Sequence, residues 1–398
     1  MTAAVLERAE SVAGSGPRQE MSSHLPVLDG IRGLAIIFVM CAHGGRFLPG
    51  QDTTVGHALV VLLNLGWCGV QLFFVLSGFL ITRLLLAKKE SGRRQGLFAD
   101  FYTRRALRIF PLYYVALAIL FLARHAASID VGPVSRADAF WYLFYVQNWW
   151  NAAGHIPEAV GHFWSLAIEE QFYFVWPMLV IGIMRRSLAR ICLGIVVAVI
   201  ALRLVAAFAI GASSLWLYHA TVAQVEGLAM GALLATFAAD GSLSANARRA
   251  GTAMVVGILA LVALILASRT TAMFGVNTPF SVAASVAFSL TFTGAILYLL
   301  DRPDSLAGRA MQHRGLRAAG RISYGLYVIH YPVSWALARP SIREFFGPTV
   351  ILAYVGISIA LAMLSWHFLE RPFLALKDRF GRRSELAPAG GAPSSVRL

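Results

Sequence analysis

Two residues of the first apolar segment have the types and the spacing that acid–base chemistry requires. Arg32 and His43 are eleven residues apart, which in an α-helix corresponds to about 20° of azimuth and roughly 16 Å of rise. The two side chains therefore face the same direction at different depths. A histidine in such a position can act as a general base near neutral pH. The structural alternative is a histidine that is hydrogen-bonded to a neighbouring span.

A second polar stripe is predicted on a later segment. At 100° per residue, a sector about 90° wide contains His162, Ser165, Glu169, Tyr173 and Trp176. Glu170 falls about 80–100° away from this stripe, so we expect Glu169 to be the carboxylate that faces a cavity. Ionisable groups inside a membrane are costly and usually mark functional sites. Pairing of the glutamate with an arginine of another span is the alternative explanation.

A third set of polar residues shares one helical face nearer the C-terminal end. Its members are Ser323, Tyr327, His330 and Ser334. Such a face forms either the wall of a polar cavity or a row of hydrogen bonds between helices, and the spacing does not distinguish the two.

A dense basic cluster occupies residues 103–108. Arg105 and Arg108 are three residues apart, so they lie side by side on a helix. Because arginine binds phosphate through two parallel hydrogen bonds, this pair is suited to a phosphate-bearing donor. The alternative is that both residues only supply positive charge to a cytoplasmic loop.

The composition indicates which elements must position these residues. Of the 398 residues, 58% are hydrophobic and only 14% are charged, whereas a soluble domain is about half apolar and a quarter charged. The apolar residues form long unbroken runs, which excludes the alternating strands of a membrane β-barrel. We therefore predict an all-α polytopic membrane protein with about ten transmembrane helices. The predicted cores are Leu34–Leu48, Leu65–Ala87, Ile109–Ala123, Phe163–Met184, Ile191–Ile210, Val222–Phe237, Ala253–Leu266, Val282–Leu300, Ile322–Ala338 and Val350–Leu369.

The distribution of lysine and arginine predicts the orientation of the chain. Every second loop is rich in these residues, beginning with Lys88, Lys89, Arg93 and Arg94, and the alternate loops are poor in them. Both termini are therefore expected in the cytoplasm. Residues 1–24 and 377–398 are expected to be disordered cytoplasmic tails of a transmembrane domain formed by residues 25–376. Because the same topology explains the net charge of +14, we expect no nucleic-acid partner.

The three cysteines do not indicate a disulfide framework or a zinc site. Cys41, Cys68 and Cys192 lie in or beside apolar segments and form no C-x-x-C pair. Free cysteines in such places behave as small hydrophobic residues. No other ligand spacing suggests a metal ion, and we expect none.

Several short motifs follow one another between Leu25 and Pro372. They are Leu28–Leu34 leading to His43, Gly69–Phe79, the pair Arg105 and Arg108, Phe163–Tyr173, Ser323–His330, and Glu370–Pro372. Each motif is weak alone, but the ordered set resembles the acyltransferase-3 family. This family consists of bacterial-type membrane O-acyltransferases that act on surface glycans, lipid-linked sugars, Nod factors and macrolides.

The resemblance implies a function and a set of site residues. The protein would be an acyltransferase of groups other than aminoacyl groups, which moves an acyl group, most simply acetyl, from cytoplasmic acyl-CoA to a hydroxyl of a saccharide or glycolipid. Arg32, Arg105 and Arg108 would bind the donor. His43 would be the base that deprotonates the acceptor or a relay that carries the acyl group, and Glu169 would orient or charge-tune an imidazole. The residues expected to line the substrate cavity are Asp29, His162, Ser165, Tyr173, Tyr327 and His330.

The resemblance also implies a location and partners. We expect the protein in the bacterial cytoplasmic (inner) membrane, in contact with the lipid bilayer and with glycan-assembly proteins as candidate partners. Some members carry an appended extracytoplasmic hydrolase-like domain that this sequence does not include, so the membrane core is expected to perform the transfer or to share it with a partner. Two alternatives remain open. One is a glycan transporter or flippase with a His/Glu proton relay, and the other is a non-catalytic scaffold.

Overall fold

The computed structural model describes residues 25–48, 53–92, 96–126, 136–240, 243–268 and 279–376. Most of these residues are helical, and none of them lies in a β-strand, in agreement with the predicted all-α class. The predicted tails, residues 1–24 and 377–398, lie outside the described residues, as do Arg93 and Arg94.

The helices follow one another through short connections. In chain order they are α1 (Pro26–Gly44), α2 (Thr54–Asn64), α3 (Cys68–Glu90), α4 (Leu97–Ala126), α5 (Arg136–Leu143), α6 (Gln147–Ala152), α7 (Trp164–Gly182), α8 (Arg185–Val205), α9 (Ser214–His219), α10 (Glu226–Ala239), α11 (Leu243–Ser268), α12 (Pro279–Asp301), α13 (Leu306–Met311), α14 (Arg314–Arg321), α15 (Ser323–Leu337), α16 (Pro340–Phe346) and α17 (Val350–Ser365). Turns of 3-10 helix lie at Gly45–Phe47, Leu65–Trp67, Gly161–Phe163, Thr221–Ala223 and Gly347–Thr349, and π-helical turns extend α8 and α17 at Ala206–Ile210 and Trp366–Glu370.

Six helical segments of the described chain are long and apolar enough to cross a membrane. They are Pro26–Phe47, Leu62–Glu90, Leu97–Ala123, Arg185–Ile210, Ala283–Asp301 and Pro340–Leu376. All ten predicted cores overlap helices, but the four on α7, α10, α11 and α15 are not among these six. α10 and α15 contain 14 and 15 residues, fewer than the ~20 that span a bilayer. Adjacent glutamates at positions 169 and 170 lower the hydropathy of α7.

The helix ends follow local sequence signals. α1 begins at Pro26, in the first turn, where the missing N–H of proline costs nothing. The π-helical turn after α8 ends at Gly211, whose φ of 68° is a left-handed conformation that glycine adopts readily. Ser305 caps α13 because its hydroxyl accepts a hydrogen bond from Gly308 N at 3.1 Å.

α1 packs against α3, α14 and α15. In the contacts with α3 and α14, the helix backbones approach each other closely. A methyl group added at Gly33 would lie 2.0 Å from the carbonyl oxygen of Leu316 on α14, and one added at Gly69 would lie 2.4 Å from that of Ala35. Small residues allow such close approach of helices in membranes. These contacts fix the position of the helix that carries the arginine and the histidine of the first motif.

A buried ion pair, not predicted from the sequence, connects α8 to α10. Arg203 Nη1 lies 2.9 Å from Glu226 Oε1, and the two side chains are 1% and 0% exposed. Ser285 of α12 donates a hydrogen bond to the same carboxylate at 2.9 Å, and Gln71 of α3 donates one to Ser285 at 2.9 Å. Charged groups in apolar surroundings are retained when they are paired, and here the pairing joins four helices.

The aromatic residues near 140–145 divide into two groups. Phe140 and Phe144 are 58% and 65% exposed, whereas Tyr142 and Tyr145 are buried. The ring of Tyr145 stacks on that of Tyr113, with 4.3 Å between the ring centres. The buried tyrosines therefore belong to the protein core, and the exposed phenylalanines are suited to the headgroup region of a bilayer.

The contact between α3 and α10 can be tested at Gly231, where an added methyl group would lie 1.9 Å from the Val75 carbonyl oxygen. We expect Gly231→Ala to destabilise the protein by about 1–3 kcal/mol, because two backbones must separate. The measurement is the melting temperature of the detergent-purified protein. Gly194→Ala is the matched control, since nothing lies within 4 Å of a methyl group added there. Equal melting temperatures for the two variants would contradict the close contact.

Candidate active site

One cavity collects many of the polar residues that the sequence analysis singled out. It lies between α1, α3, α4, α7 and α15 and contains about 720 Å³ of empty space, the solvent at its opening included. The polar and charged residues of its wall are Arg32, Ser77, Arg105, Arg108, Ser165, Glu169, Glu170, Tyr173, Ser323, Tyr324 and Tyr327.

Three arginines form the cationic part of this wall. Arg32 extends from α1, and Arg105 and Arg108 extend from α4. The guanidinium carbon of Arg105 lies 5.2 Å from the centre of the Tyr173 ring, within the range of a cation–π interaction. Asp29, predicted as a cavity residue, lies one turn before Arg32 and forms an ion pair with it at 3.7 Å. Asp29 is therefore not part of the cavity wall but is linked to it by the ion pair with Arg32.

Two adjacent glutamates of α7 form the acidic part of the wall. Ser77 Oγ donates a hydrogen bond to Glu169 Oε1 at 2.9 Å, and the Tyr173 hydroxyl donates one to Glu169 Oε2 at 3.0 Å. Both oxygens of Glu169 thus have hydroxyl partners. The imidazole of His43 has a different partner, His330 of α15. Both Glu169 and Glu170 line the cavity, although the helical projection favoured Glu169 over Glu170. The reason is that the cavity covers a wider sector of α7 than a single stripe.

Two members of the predicted α7 stripe lie elsewhere. His162 belongs to the 3-10 turn Gly161–Phe163 that precedes α7, so the helical projection does not give its direction. Its Nε2 donates a hydrogen bond to the Tyr327 carbonyl oxygen at 3.0 Å. Trp176 is buried and donates a hydrogen bond from Nε1 to Thr82 Oγ1 at 2.7 Å.

A pair of hydroxyl groups lies in the cavity wall at the turn of α7 farthest from Tyr173 and Arg105, which we call the inner end. Ser165 Oγ and the Tyr327 hydroxyl are in hydrogen-bond contact, and the Tyr327 hydroxyl also donates to the His162 carbonyl oxygen at 3.0 Å. Among the described residues, the cavity wall includes Ser165 and Tyr327 but none of the histidines. We call this contact the hydroxyl pair.

Three histidines cluster behind the hydroxyl pair. The ring centre of His330 lies 5.1 Å from that of His43 and 5.3 Å from that of His162. His330 is fully buried, and His43 is half-buried. In the part of the chain that the structure describes, no group of three or more histidine, cysteine, aspartate or glutamate side chains is arranged to hold a metal ion.

The hydrogen bonds of this cluster determine the tautomer of His43 when the rings are neutral. His330 Nδ1 lies 2.9 Å from the Leu326 carbonyl oxygen and 2.8 Å from that of Tyr327. Since carbonyl oxygens only accept, His330 Nδ1 carries the proton and His330 Nε2 has the lone pair. His43 Nδ1 lies 3.2 Å from His330 Nε2 and 3.0 Å from the Val39 carbonyl oxygen. His43 Nδ1 must therefore be the donor, which leaves the lone pair on His43 Nε2.

The face predicted on α15 is present, and it serves two purposes. Ser323 and Tyr327 line the cavity, whereas His330 contacts His43 and Ser334 Oγ donates a hydrogen bond to the His43 carbonyl oxygen at 3.2 Å. The same face is thus both a cavity wall and a row of hydrogen bonds to α1.

Sequence reasoning missed four residues around the site. Ser77, Glu170 and Tyr324 line the cavity, and the ring centre of Tyr331 lies 4.7 Å from those of both His43 and His162. Ser77 and Tyr324 lie within the motifs Gly69–Phe79 and Ser323–His330. Their membership of a motif was therefore the signal that could have identified them. Nothing in the spacing identifies Tyr331, which lies next to a predicted residue on a different helical face.

Comparisons with known proteins agree with these motifs. A family model described as an acyltransferase domain, of the acyltransferase-3 family, matches residues 25–367. The chain is 30% identical to a putative peptidoglycan O-acetyltransferase, YrhL, of Bacillus subtilis (strain 168), over an alignment that covers 90% of this chain and 56% of the relative. It is 28% identical to the peptidoglycan O-acetyltransferase OatA of Listeria monocytogenes serovar 1/2a (strain ATCC BAA-679 / EGD-e), with 88% and 56% covered. No solved structure matches the chain.

An O-acetyltransferase OatA of Staphylococcus aureus (strain NCTC 8325 / PS 47) is 26% identical, with 88% of this chain and 57% of the relative covered. The chain therefore spans a little over half the length of the relatives it matches.

The tautomer assignment can be checked by nitrogen NMR of protein labelled with ¹⁵N-histidine. For His43 and His330 we expect a protonated Nδ1 and an unprotonated Nε2 at pH values where the rings are neutral, and for His162 the reverse, because each donor faces a carbonyl oxygen. Signals are assigned by their loss in His43→Ala, His162→Ala and His330→Ala. A protonated Nε2 on neutral His43 would contradict the assignment.

Proposed function

Because the chain belongs to the acyltransferase-3 family, we propose that it is an integral membrane O-acyltransferase that moves an acetyl group from cytoplasmic acyl-CoA to a saccharide hydroxyl. Membership confirms the family resemblance of the sequence motifs. The observation that carries the proposal is the order of three features. Arginines line one part of the cavity, the hydroxyl pair lies at its inner end, and the histidine cluster lies next to the hydroxyl pair. This order of groups suits a donor that enters from the arginine side and an acceptor that reaches His43 from the other side.

We further propose that all ten predicted segments lie within the membrane, with both termini in the cytoplasm. The four helices outside the set of six pack against other helices, as α10 does against α3 and α15 against α17, so protein neighbours replace part of the lipid contact. The arginine wall then lies near the cytoplasmic face, where Lys88, Lys89 and the other basic loop residues also occur. In a bacterium this membrane would be the cytoplasmic (inner) membrane.

In the proposed donor site, the arginines bind the phosphates of acyl-CoA. Arg105 and Arg108 are neighbours on α4 and face the cavity together with Arg32, and guanidinium groups match phosphate oxygens with paired hydrogen bonds. Arg104, which is adjacent in sequence, forms an ion pair with Asp100. The phosphate-binding role therefore falls to Arg32, Arg105 and Arg108 rather than to the whole basic cluster.

In the proposed reaction, His43 Nε2 is the atom that moves the proton. It accepts the proton of the acceptor hydroxyl while the acceptor oxygen bonds to the acyl carbon. The carbon–sulfur bond breaks, and the proton on Nε2 passes to the departing thiolate. The Val39 carbonyl oxygen at 3.0 Å and His330 Nε2 at 3.2 Å both face the Nδ1–H of His43, and together they keep the lone pair on Nε2. In the relay version of the mechanism, the same Nε2 carries the acyl group.

For the acceptor, we propose a cell-wall polysaccharide of the peptidoglycan class. The support comes from the relatives, two of which are named as peptidoglycan O-acetyltransferases. Family membership does not favour the transporter alternative, and glycan-assembly proteins remain candidate partners.

The catalytic assignment predicts that His43→Ala lowers acetyl transfer by about 10²–10⁴-fold, the usual contribution of a general base. The measurement is the alkali-labile acetate on cell-wall polysaccharide of a deletion strain that expresses each variant at equal membrane levels. His367→Ala is the matched control, because His367 is exposed and lies near the end of α17. Full restoration of the esters by His43→Ala would rule out His43 as the base. A deletion that changes the amount of surface glycan but no ester would favour transport.

The positioning role of His330 predicts a separate kinetic signature. His330→Ala removes one of the two acceptors near the His43 Nδ1–H and leaves the Val39 carbonyl oxygen. The ring then keeps its tautomer but loses a contact that orients it, so we expect kcat to fall about tenfold with little change in KM for acetyl-CoA. His330→Gln, whose side-chain carbonyl can accept the same hydrogen bond, should retain more activity than His330→Ala. Initial rates of ester formation in isolated membranes measure both effects. A change confined to KM would contradict a positioning role.

A further inference from the structure

The proposed function assigns the three arginines of the cavity but leaves its two glutamates without a ligand. A site for an anionic donor is an unexpected place for two carboxylates, because a carboxylate repels phosphate. Their presence in the wall indicates that part of the cavity receives a segment of the ligand that is uncharged and rich in hydrogen-bond donors.

The two glutamates differ in whether their carboxyl oxygens have hydrogen-bond partners. Glu169 already accepts hydrogen bonds from Ser77 and Tyr173, one on each oxygen. Oε1 of Glu170 is shielded from solvent, and among the described residues it has no hydrogen-bond partner. Buried polar atoms are nearly always paired, and leaving a carboxyl oxygen without a donor is costly. Glu170 is therefore the residue of this wall that needs a donor from a ligand.

The position of Glu170 along α7 indicates which part of the donor it meets. Ser165, eight residues before Tyr173, belongs to the hydroxyl pair at the inner end of the cavity, whereas Tyr173 packs against Arg105 of the cationic wall. Eight residues correspond to about 12 Å along a helix, and Glu170 lies between the two levels. The segment of acyl-CoA between the phosphates and the thioester is the pantetheine arm, which is uncharged and carries two amide N–H groups.

We propose that Glu170 accepts a hydrogen bond from a pantetheine amide N–H and thereby selects thioester donors that contain this amide. The inference rests on the proposed function, because it assumes an acyl-CoA donor. It extends that function by assigning a specificity-determining residue to the uncharged part of the donor, separate from the arginines that bind its phosphates.

The test is a cycle of two proteins and two ligands, measured by binding to the purified protein so that no acceptor is needed. The ligands are acetyl-CoA and an analogue in which ester oxygens replace the pantetheine amide nitrogens. We expect the wild type to bind acetyl-CoA about fivefold to tenfold more tightly than the analogue, the usual net contribution of one hydrogen bond. Glu170→Ala should bind both ligands with the weaker affinity, and Glu170→Gln should recover part of the difference.

The controls separate this inference from the proposed function. Glu344→Ala removes an exposed glutamate of α16 and should leave the ratio of the two dissociation constants unchanged. Because the ratio is measured within one protein preparation, a partly unfolded variant does not alter it. An unchanged ratio in Glu170→Ala would overturn the role of Glu170 while leaving the acyl-CoA donor intact. Failure of the wild type to bind acetyl-CoA at all would overturn the proposed donor, and this inference with it.

Discussion

The site depends on the close approach of α1 to its neighbours. At Gly33 and Gly69 the backbones of α14 and α3 come so near to that of α1 that even a methyl group has no space. This contact sets the position of both polar residues of α1, since Arg32 and His43 lie on one rigid helix. The cavity and the histidine cluster are then formed by side chains that other helices extend toward α1.

The polar groups within the bundle are held by partners from different helices. His43 of α1 meets His330 of α15, Glu169 of α7 meets Ser77 of α3, and the buried pair of Arg203 and Glu226 joins α8 to α10. Groups of this kind are tolerated in apolar surroundings because each has a partner. The resulting network also makes the geometry of the site a property of the whole bundle rather than of any single motif.

Sequence reasoning predicted the helical class, the family and most polar residues of the cavity wall, because each of these follows from composition, motif order or the period of one helix. It did not predict that Glu170 lines the cavity together with Glu169, and it placed His162 on a helix that begins after it. Both errors have one cause, since the projection of a single helix contains no information about the shape of the space between several helices. The partner of His43 could not be predicted for the same reason, because a contact across 287 positions in the chain depends on packing. Hydropathy likewise predicted ten spans, whereas six helices of the described residues meet the requirements of length and composition.

The hydroxyl pair of Ser165 and Tyr327 has a consequence for the membrane itself. In the proposed topology, it is the partition between a water-accessible cavity on one face and a half-buried histidine near the other. Both groups are neutral and satisfy each other, so their contact can break and reform without moving charge through the membrane potential. An acyl group could thus pass the partition in an electrically silent step. The cell would then keep its ion gradients during the transfer.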